Sequence, residues 1–331
     1  PIAGLSLRAL ATLLRSVFGT PSKRITGEIV QEKEQLKLRL RLAGRGLIAD
    51  IDGVQSDAVD RLLAMAAPEI WRVIQPRLYA WHVAQTEPDQ AVVRDKMRAL
   101  MRGAGGDIAT ENTARGLMGR SYLREGRARD AFEVAEIMVQ NNPELGSAWY
   151  LRGVAQFRLG RIEAALEDYR RAQQLDPRGV WVHVAVAEAY MQSGRLDDAL
   201  VEIRKALAEQ PRDPWALQHE GNILLAMNRV REAMLSIRRG LDQDPNSAEL
   251  RLLLGRVLLR FGNQAEAATA FETAARLAPA LAEPVLDLAE LFISTGKRDE
   301  ARAVLTQLLT REDLAEAPRA KAMSLLDRLA E

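Results

Sequence analysis

Along most of this chain apolar residues recur every three or four positions, the period of a helix with one buried face. One short region breaks that rule. From Leu36 to Leu42 the sequence reads LKLRLRL, so Leu36, Leu38, Leu40 and Leu42 alternate with Lys37, Arg39 and Arg41. A period of two belongs to a strand with one buried and one wet face. Arg24–Val30 is its expected partner across the polar turn Gln31–Gln35, and Leu47–Ile51, after Gly44 and Gly46, is a third strand. The pattern predicts a three-stranded antiparallel meander. Its cations Lys37, Arg39 and Arg41 read as a soluble outer face. Leu7, Leu10, Leu14 and Val17 place a helix over Leu5–Phe18, ended by Gly19 and Pro21. A second helix begins near Ser56, and together the two are expected to cover the apolar face of the meander.

Ser56–Gln85 reads as helix broken by Pro68 and Pro76, neither of which can donate a backbone hydrogen bond. Trp71, Tyr79 and Trp81 are expected in the core between these helices. After the turn Glu87–Asp89, Gln90–Met101 is helical again. Arg77–Gln85 with Gln90–Met101 therefore reads as a degenerate hairpin, followed by a joint at Gly103, Gly105 and Gly106.

From Asn112 a longer period takes over. Pro143, Pro177, Pro211, Pro245 and Pro279 recur every 34 residues. Ala131, Ala165, Ala199, Ala233, Ala267 and Ala301 keep the interval, as do Gly126, Gly160, Gly194, Gly262 and Gly296, with Asn228 in the one missing place. A fixed period of this length is the signature of tandem helical hairpins. Small residues at Gly119, Gly153, Ala187, Gly221, Gly255 and Ala289 fall in the middle of each first helix, and the alanines open each second helix, so two helices can approach closely. Each glycine supplies the turn between helices, and each proline ends the unit. The expected organisation is a small α/β domain over 1–75, a degenerate hairpin and linker over 76–111, six repeats over 112–314, and a capping helix within 315–331.

This pattern resembles the tetratricopeptide repeat family. In the copy from Gly146 to Gly179, Trp149, Gly153, Gly160, Ala165, Tyr169, Ala172 and Pro177 stand at the family's marked positions. The copy from Ala248 to Leu281 keeps Leu254, Gly255, Gly262, Ala267, Phe271, Ala274 and Pro279. The resemblance does not reach residues 1–75. It implies a mainly α fold, a right-handed α-solenoid of about six hairpins, here preceded by the small α/β domain. It also implies a concave groove lined by first helices, which holds a peptide or helix of a partner protein. On that face stand Arg120, Arg124, Tyr150, Phe157, Arg158, Trp181, Trp215, Asn222, Arg256 and Arg260. Trp181 and Trp215 are equivalent positions one repeat apart, and Trp, Tyr and Arg are enriched at binding hot spots. The expected occupant is an apolar segment bearing acidic groups. Members of the family that clamp a terminal carboxylate use Lys and Asn at set positions. Here Gly116, Tyr150, Val184, Gln218, Leu252 and Leu286 stand at the first of these, and only Asn222 matches that chemistry.

Composition narrows the remaining classes. The 331 residues carry a formal charge of +1, so no overall charge favours nucleic acid as a partner. With no cysteine there is no disulfide, thiolate metal site or cysteine nucleophile. His183 and His219 lie in first helices of adjacent repeats, near enough in register to approach one another, yet a metal site or acid–base pair needs further groups. No catalytic motif is present, and neither an enzyme nor a cofactor or metal site is expected. The reading is a protein–protein interaction scaffold. The alternatives are a self-assembling structural protein or an accessory subunit of a membrane-associated enzyme or assembly; concentration-dependent sedimentation separates the first of these. The heavy use of Ala, Arg and Leu suggests a bacterial source. The sequence opens on Pro1, so a membrane tether upstream is open, and the localisation leans to a tethered or periplasmic fragment with the cytoplasm not excluded.

Overall fold

The computed structural model describes residues 25–32, 35–42, 46–55, 68–73 and 75–330. The helix expected over Leu5–Phe18, and the start of the one expected from Ser56, lie outside the described residues. Three strands, β1 (Ile25–Glu32), β2 (Gln35–Leu42) and β3 (Gly46–Gln55), form an antiparallel sheet in the order β1-β2-β3. Leu38 of β2 pairs with Ile29 on one side and Ile51 on the other, and it is fully buried. Two of the cations on the other face have an acid beside them, while Arg41 is exposed. Arg39 lies opposite Asp50 in register, and Asp50 draws both Lys37 and Arg39, at 3.6 and 3.5 Å. The sheet offsets part of its own basic face.

Residues 68–73 are helical. Fifteen further helices follow, beginning with α1 (Pro76–Thr86), α2 (Gln90–Gly103), α3 (Ile108–Arg124), α4 (Ala128–Asn141) and α5 (Gly146–Arg158). Next come α6 (Ile162–Leu175), α7 (Val180–Gln192), α8 (Leu196–Glu209), α9 (Pro214–Ala226) and α10 (Val230–Gln243). The last are α11 (Ala248–Arg260), α12 (Gln264–Leu277), α13 (Glu283–Ser294), α14 (Arg298–Leu309) and α15 (Glu316–Ala330). They form the hairpins of an α-solenoid. The expected break at Pro76 is present: Gln75 leaves helical geometry, and Pro76 opens the first turn of α1, where its missing N–H costs nothing. The third helix starts at Ile108, before the first periodic residue, because Asp107 caps it by accepting from the Ala109 N–H and the Thr110 hydroxyl.

The chain divides into two compact units, Pro1–Leu159 and Gly160–Glu331. In the first, Tyr79, Val83, Val93, Met97, Leu117 and Met118 join α1, α2 and α3 in one core. Arg94 of α2 is buried there. It donates to the Ser121 hydroxyl at 3.0 Å and pairs with Glu125 at 2.9 Å, so its charge is held at the end of α3. In the second unit, consecutive hairpins share apolar clusters that continue to the cap. There Ala322, Leu325 and Leu329 of α15 join the core of α13 and α14. Arg319 of the cap donates to the carbonyls of Leu309 and Arg311, which the end of α14 leaves open.

The periodic residues are those with no room to change. All six alanines from Ala131 to Ala301 have zero exposure. A Cβ added at Gly221 would come within 2.7 Å of Ile237 in the facing second helix, and one at Gly255 would strike the Phe271 ring. The turn glycines have φ between 74° and 81°, and Asn228 takes the same left-handed conformation at 60°, which asparagine tolerates better than most residues.

The link prolines leave carbonyls that need donors. Trp149 Nε1 donates to the Pro143 carbonyl at 2.7 Å, and Arg251 donates to that of Pro245 at 3.1 Å. His183 holds the same place in its repeat, with Nε2 3.3 Å from the Pro177 carbonyl. Where that place carries Leu217 or Val285, an arginine from elsewhere reaches in: Arg239 to Pro211 at 2.9 Å, and Arg311 to Pro279 at 2.7 Å.

His183 does more than close a link. Its Nδ1 lies 2.9 Å from Glu202 of α8, so both ring nitrogens face acceptors and the imidazolium is satisfied on both sides. The hydrogen bond with Glu202 raises its pKa, burial opposing. Burial also acts to raise the Glu202 carboxyl, but hydrogen bonds from His183, Lys205 and Gln173 outweigh it and hold the group down to about 2.

Two predictions follow from this packing. Ala199→Leu overfills a site with zero exposure and should lower stability by about 1–3 kcal/mol, read as a fall in the urea midpoint. The second concerns pH. Stabilisation from a raised histidine is complete below its ordinary value of 6.5 and is lost as pH rises through the raised value. Stabilisation from a depressed carboxylate is complete above 4.5 and is lost as pH falls toward 2. The gap in urea midpoint between the wild type and His183→Gln should therefore be widest between 4.5 and 6.5 and narrow at higher pH. A gap that widens above neutral pH would contradict the assignment.

Candidate partner-binding clefts

First helices supply most of the walls of two open clefts, one in each unit. The cleft of the first unit has a volume of about 550 Å³ and lies among α1, α3, α4 and α5. Arg77 and Trp81 enter from α1, Ile108 and Arg120 from α3, Met138 from α4 and Tyr150 from α5. Helical spacing puts Arg77 and Trp81 on one face of α1, four residues apart. The Arg120 guanidinium lies over the Trp81 indole, 5.3 Å from the ring centre.

The cleft of the second unit has a volume of about 870 Å³. Asn222 of α9, Arg256 and Arg260 of α11, Asp287 and Glu290 of α13, and Arg328 of α15 line it. Charges of both signs meet here. Arg256 binds Asp287 at 2.6 Å, Arg260 reaches the Asn228 side chain at 3.4 Å, and Glu290 pairs with Lys321 at 2.9 Å. Asn222 donates to the Met191 sulfur at 3.6 Å.

The ten groove residues expected from the repeat register separate into three groups. Arg120 and Tyr150 line the first cleft; Asn222, Arg256 and Arg260 line the second. Arg124, Phe157, Arg158, Trp181 and Trp215 line neither. Arg124 is drawn to the end of α1, where it donates to the Ala84 carbonyl at 3.2 Å. Phe157 is half-buried and Arg158 exposed, near the end of α5. Trp181 is half-buried against the Gly179 backbone, where an added Cβ would lie 3.2 Å from its ring. Trp215 is partly exposed and meets the His219 ring edge-on, with centres 5.4 Å apart. Both tryptophans sit in the first turn of their helices, whereas the second cleft forms along the middle and end of theirs.

Trp81 is the reverse case. Expected in the core, it is 42% exposed and forms a wall of the first cleft, while Tyr79 is buried. Arg77, Asp287 and Arg328 were not singled out by the repeat register. Arg77 lies outside the strict period, and Arg328 comes from the cap. Asp287 stands one place from Leu286, the groove-face position of its helix.

The two central histidines serve separate contacts. His183 is held by Glu202 and the Pro177 carbonyl, and His219 by Trp215. Burial pushes His219 down to about 4, so it is neutral near pH 7. Among the described residues, no three His, Asp or Glu side chains gather in a metal-binding arrangement, and no helix is long and apolar enough to cross a membrane.

Two family models, both described as tetratricopeptide repeat, match this sequence, one over 117–180 and 220–282 and the other over 156–218 and 258–326. No curated protein matches it. Among solved structures it is similar to Cut9–Hcn1, a hetero-tetramer of the APC/C, with TM-score 0.64 and 16% identity, covering 82% of this chain and 52% of that one. The chain thus spans about half the length of that relative. A tetratricopeptide repeat protein from Parabacteroides merdae is similar with TM-score 0.59 and 13% identity, over 75% of this chain and 96% of the other. PilW, a widely conserved type IV pilus biogenesis factor, gives TM-score 0.55 and 19% identity, over 65% of this chain and 98% of the other. At these identities the likeness is one of fold. Between them the family models cover every residue from 117 to 326 except 219, and the chain belongs to the tetratricopeptide repeat family.

Proposed function

We infer that this protein is a non-catalytic scaffold that holds a segment of a partner protein against its first helices. One observation carries the reading. The positions that keep the repeat period are spent on packing, while two open clefts are walled mainly by first-helix side chains that vary from repeat to repeat. Both clefts combine apolar surface with polar and charged groups able to orient a bound segment. Tyr150, Trp81 and Arg120 in one, and Arg256 and Arg260 in the other, are residue types that carry binding energy when a partner covers them. Trp181 and Trp215 remain candidates for a rim contact at the first turns of α7 and α9.

Displayed random peptides selected on the immobilised chain test the reading. Selected peptides should lose about tenfold or more in affinity on one of two variants, Trp81→Ala with Arg120→Gln or Arg260→Gln with Arg328→Gln. All four side chains are exposed, so the melting temperature should change little. Peptides that bind both variants as tightly as the wild type would overturn the assignment to the clefts.

A further inference from the structure

We propose that the outer faces of α8 and α10 bind the same faces of a second copy of this chain, with the helices of the two copies antiparallel. Second helices form this surface, so it is separate from the clefts and goes beyond the scaffold reading.

A polar row on the second helices has one apolar break. Val201 of α8 and Leu235 of α10 hold the same place in adjacent repeats, 34 residues apart. They are 55% and 63% exposed. Glu133, Glu167, Thr269 and Ala303 hold that place in the other repeats, and all are exposed. The faces of α8 and α10 adjoin, because Arg204 of α8 reaches Glu232 of α10 at 3.8 Å. Two large apolar side chains are thus kept side by side in water, where polar or small ones serve elsewhere. A second apolar surface would remove both from water.

The order of charge names the occupant. Along α8, Asp197 comes four places before Val201 and Lys205 four places after it. Along α10, Glu232 comes three places before Leu235 and Arg238 three places after it. Each face therefore runs from acid through apolar to cation. A two-fold axis that crosses the helices at Val201 and Leu235 sets Asp197 against Lys205 of the other copy, and Glu232 against Arg238. Both apolar side chains then meet their own counterparts at the centre. Arg231, four places before Leu235, has Asp242, seven places after it, as its opposite charge. The offset of three places is about 4.5 Å along the helix, within the reach of an arginine. With the helices parallel, α8 would lie over α10 and Lys205 would meet Arg238, like on like.

Part of this charge is left over within the chain. Lys205 binds Glu202 at 2.6 Å, and Glu232 binds Arg229 at 2.6 Å. Asp197 and Arg238 form no ion pair among the described residues, although the Asp197 charge is felt at Arg229. An exposed acid on one helix and an exposed cation on the other are available to a second copy. The same patch serves both copies, so the assembly closes at two.

Sedimentation equilibrium of the full chain over a range of concentrations tests this. The wild type should fit a monomer–dimer equilibrium with no larger species, and added salt should weaken the dimer. Val201→Ser with Leu235→Ser, Asp197→Lys, and Arg238→Glu should each raise the dimer dissociation constant about tenfold or more. All four side chains are exposed, so at concentrations where the wild type is monomeric the melting temperature should change little. The two charge reversals alter the net charge in opposite directions, so general repulsion between copies could not weaken the dimer in both. A wild type that stays monomeric up to about 1 mM would overturn the proposal. So would a dimer that the Ser pair leaves unchanged, which places the contact elsewhere, or one that either reversal leaves unchanged, which contradicts the antiparallel order. Growth into species larger than a dimer would overturn the closed two-fold pairing.

Discussion

Each hairpin depends on an approach between helices so close that only Ala or Gly fits at the crossing. The six alanines that open the second helices have zero exposure, and the backbone at Gly221 and Gly255 lies under Ile237 and Phe271 with no space for another carbon. Dispersion contacts fall off steeply with distance, so this closeness is what lets short helices bury enough surface. It also fixes the turn. A chain that must reverse within a few residues needs a left-handed conformation, and Gly or Asn supplies it at every hairpin from Gly126 to Gly296.

The link between hairpins has a different requirement. Its proline stops one helix, but the proline carbonyl still needs a donor. Trp149, His183 and Arg251 look unrelated as residue types, yet each holds the same place in its repeat and donates to the same kind of carbonyl. What that place demands is a side-chain N–H of sufficient reach. When Leu217 occupies it, Arg239 reaches across from the second helix to do the work. His183 thus has a structural explanation, and its contact with Glu202 ties the link to the following helix.

Packing was legible in the sequence because packing repeats. The alanine, glycine and proline positions follow from a single interval, and so do the helix boundaries, apart from the early start that Asp107 gives α3. The alternation in LKLRLRL likewise marked β2, with Leu38 inside. The clefts were legible only in part. Arg120, Tyr150, Asn222, Arg256 and Arg260 followed from the register, because a face that cannot pack against its own hairpin is available elsewhere. Trp81 did not. It lies before the strict period, and burial is the ordinary fate of a tryptophan among apolar residues. Trp181 and Trp215 follow from the register as well, but a first-turn position places each ring beside Gly179 or His219, outside the two clefts. Pairings across strands, such as Arg39 with Asp50, depend on a register that no linear pattern states.

Two sets of helices divide the labour. Second helices hold the units together through residues that barely vary in size; first helices carry the variable side chains that line the clefts. Hydrogen–deuterium exchange of the full chain, with and without a peptide selected on the first cleft, tests that division most directly. Slowed exchange should appear in α1, α3 and α5, where Trp81, Arg120 and Tyr150 stand, while the exposed faces of the second helices stay as they were. Protection confined to α2, α4 or the sheet, with α1, α3 and α5 unchanged, would contradict it.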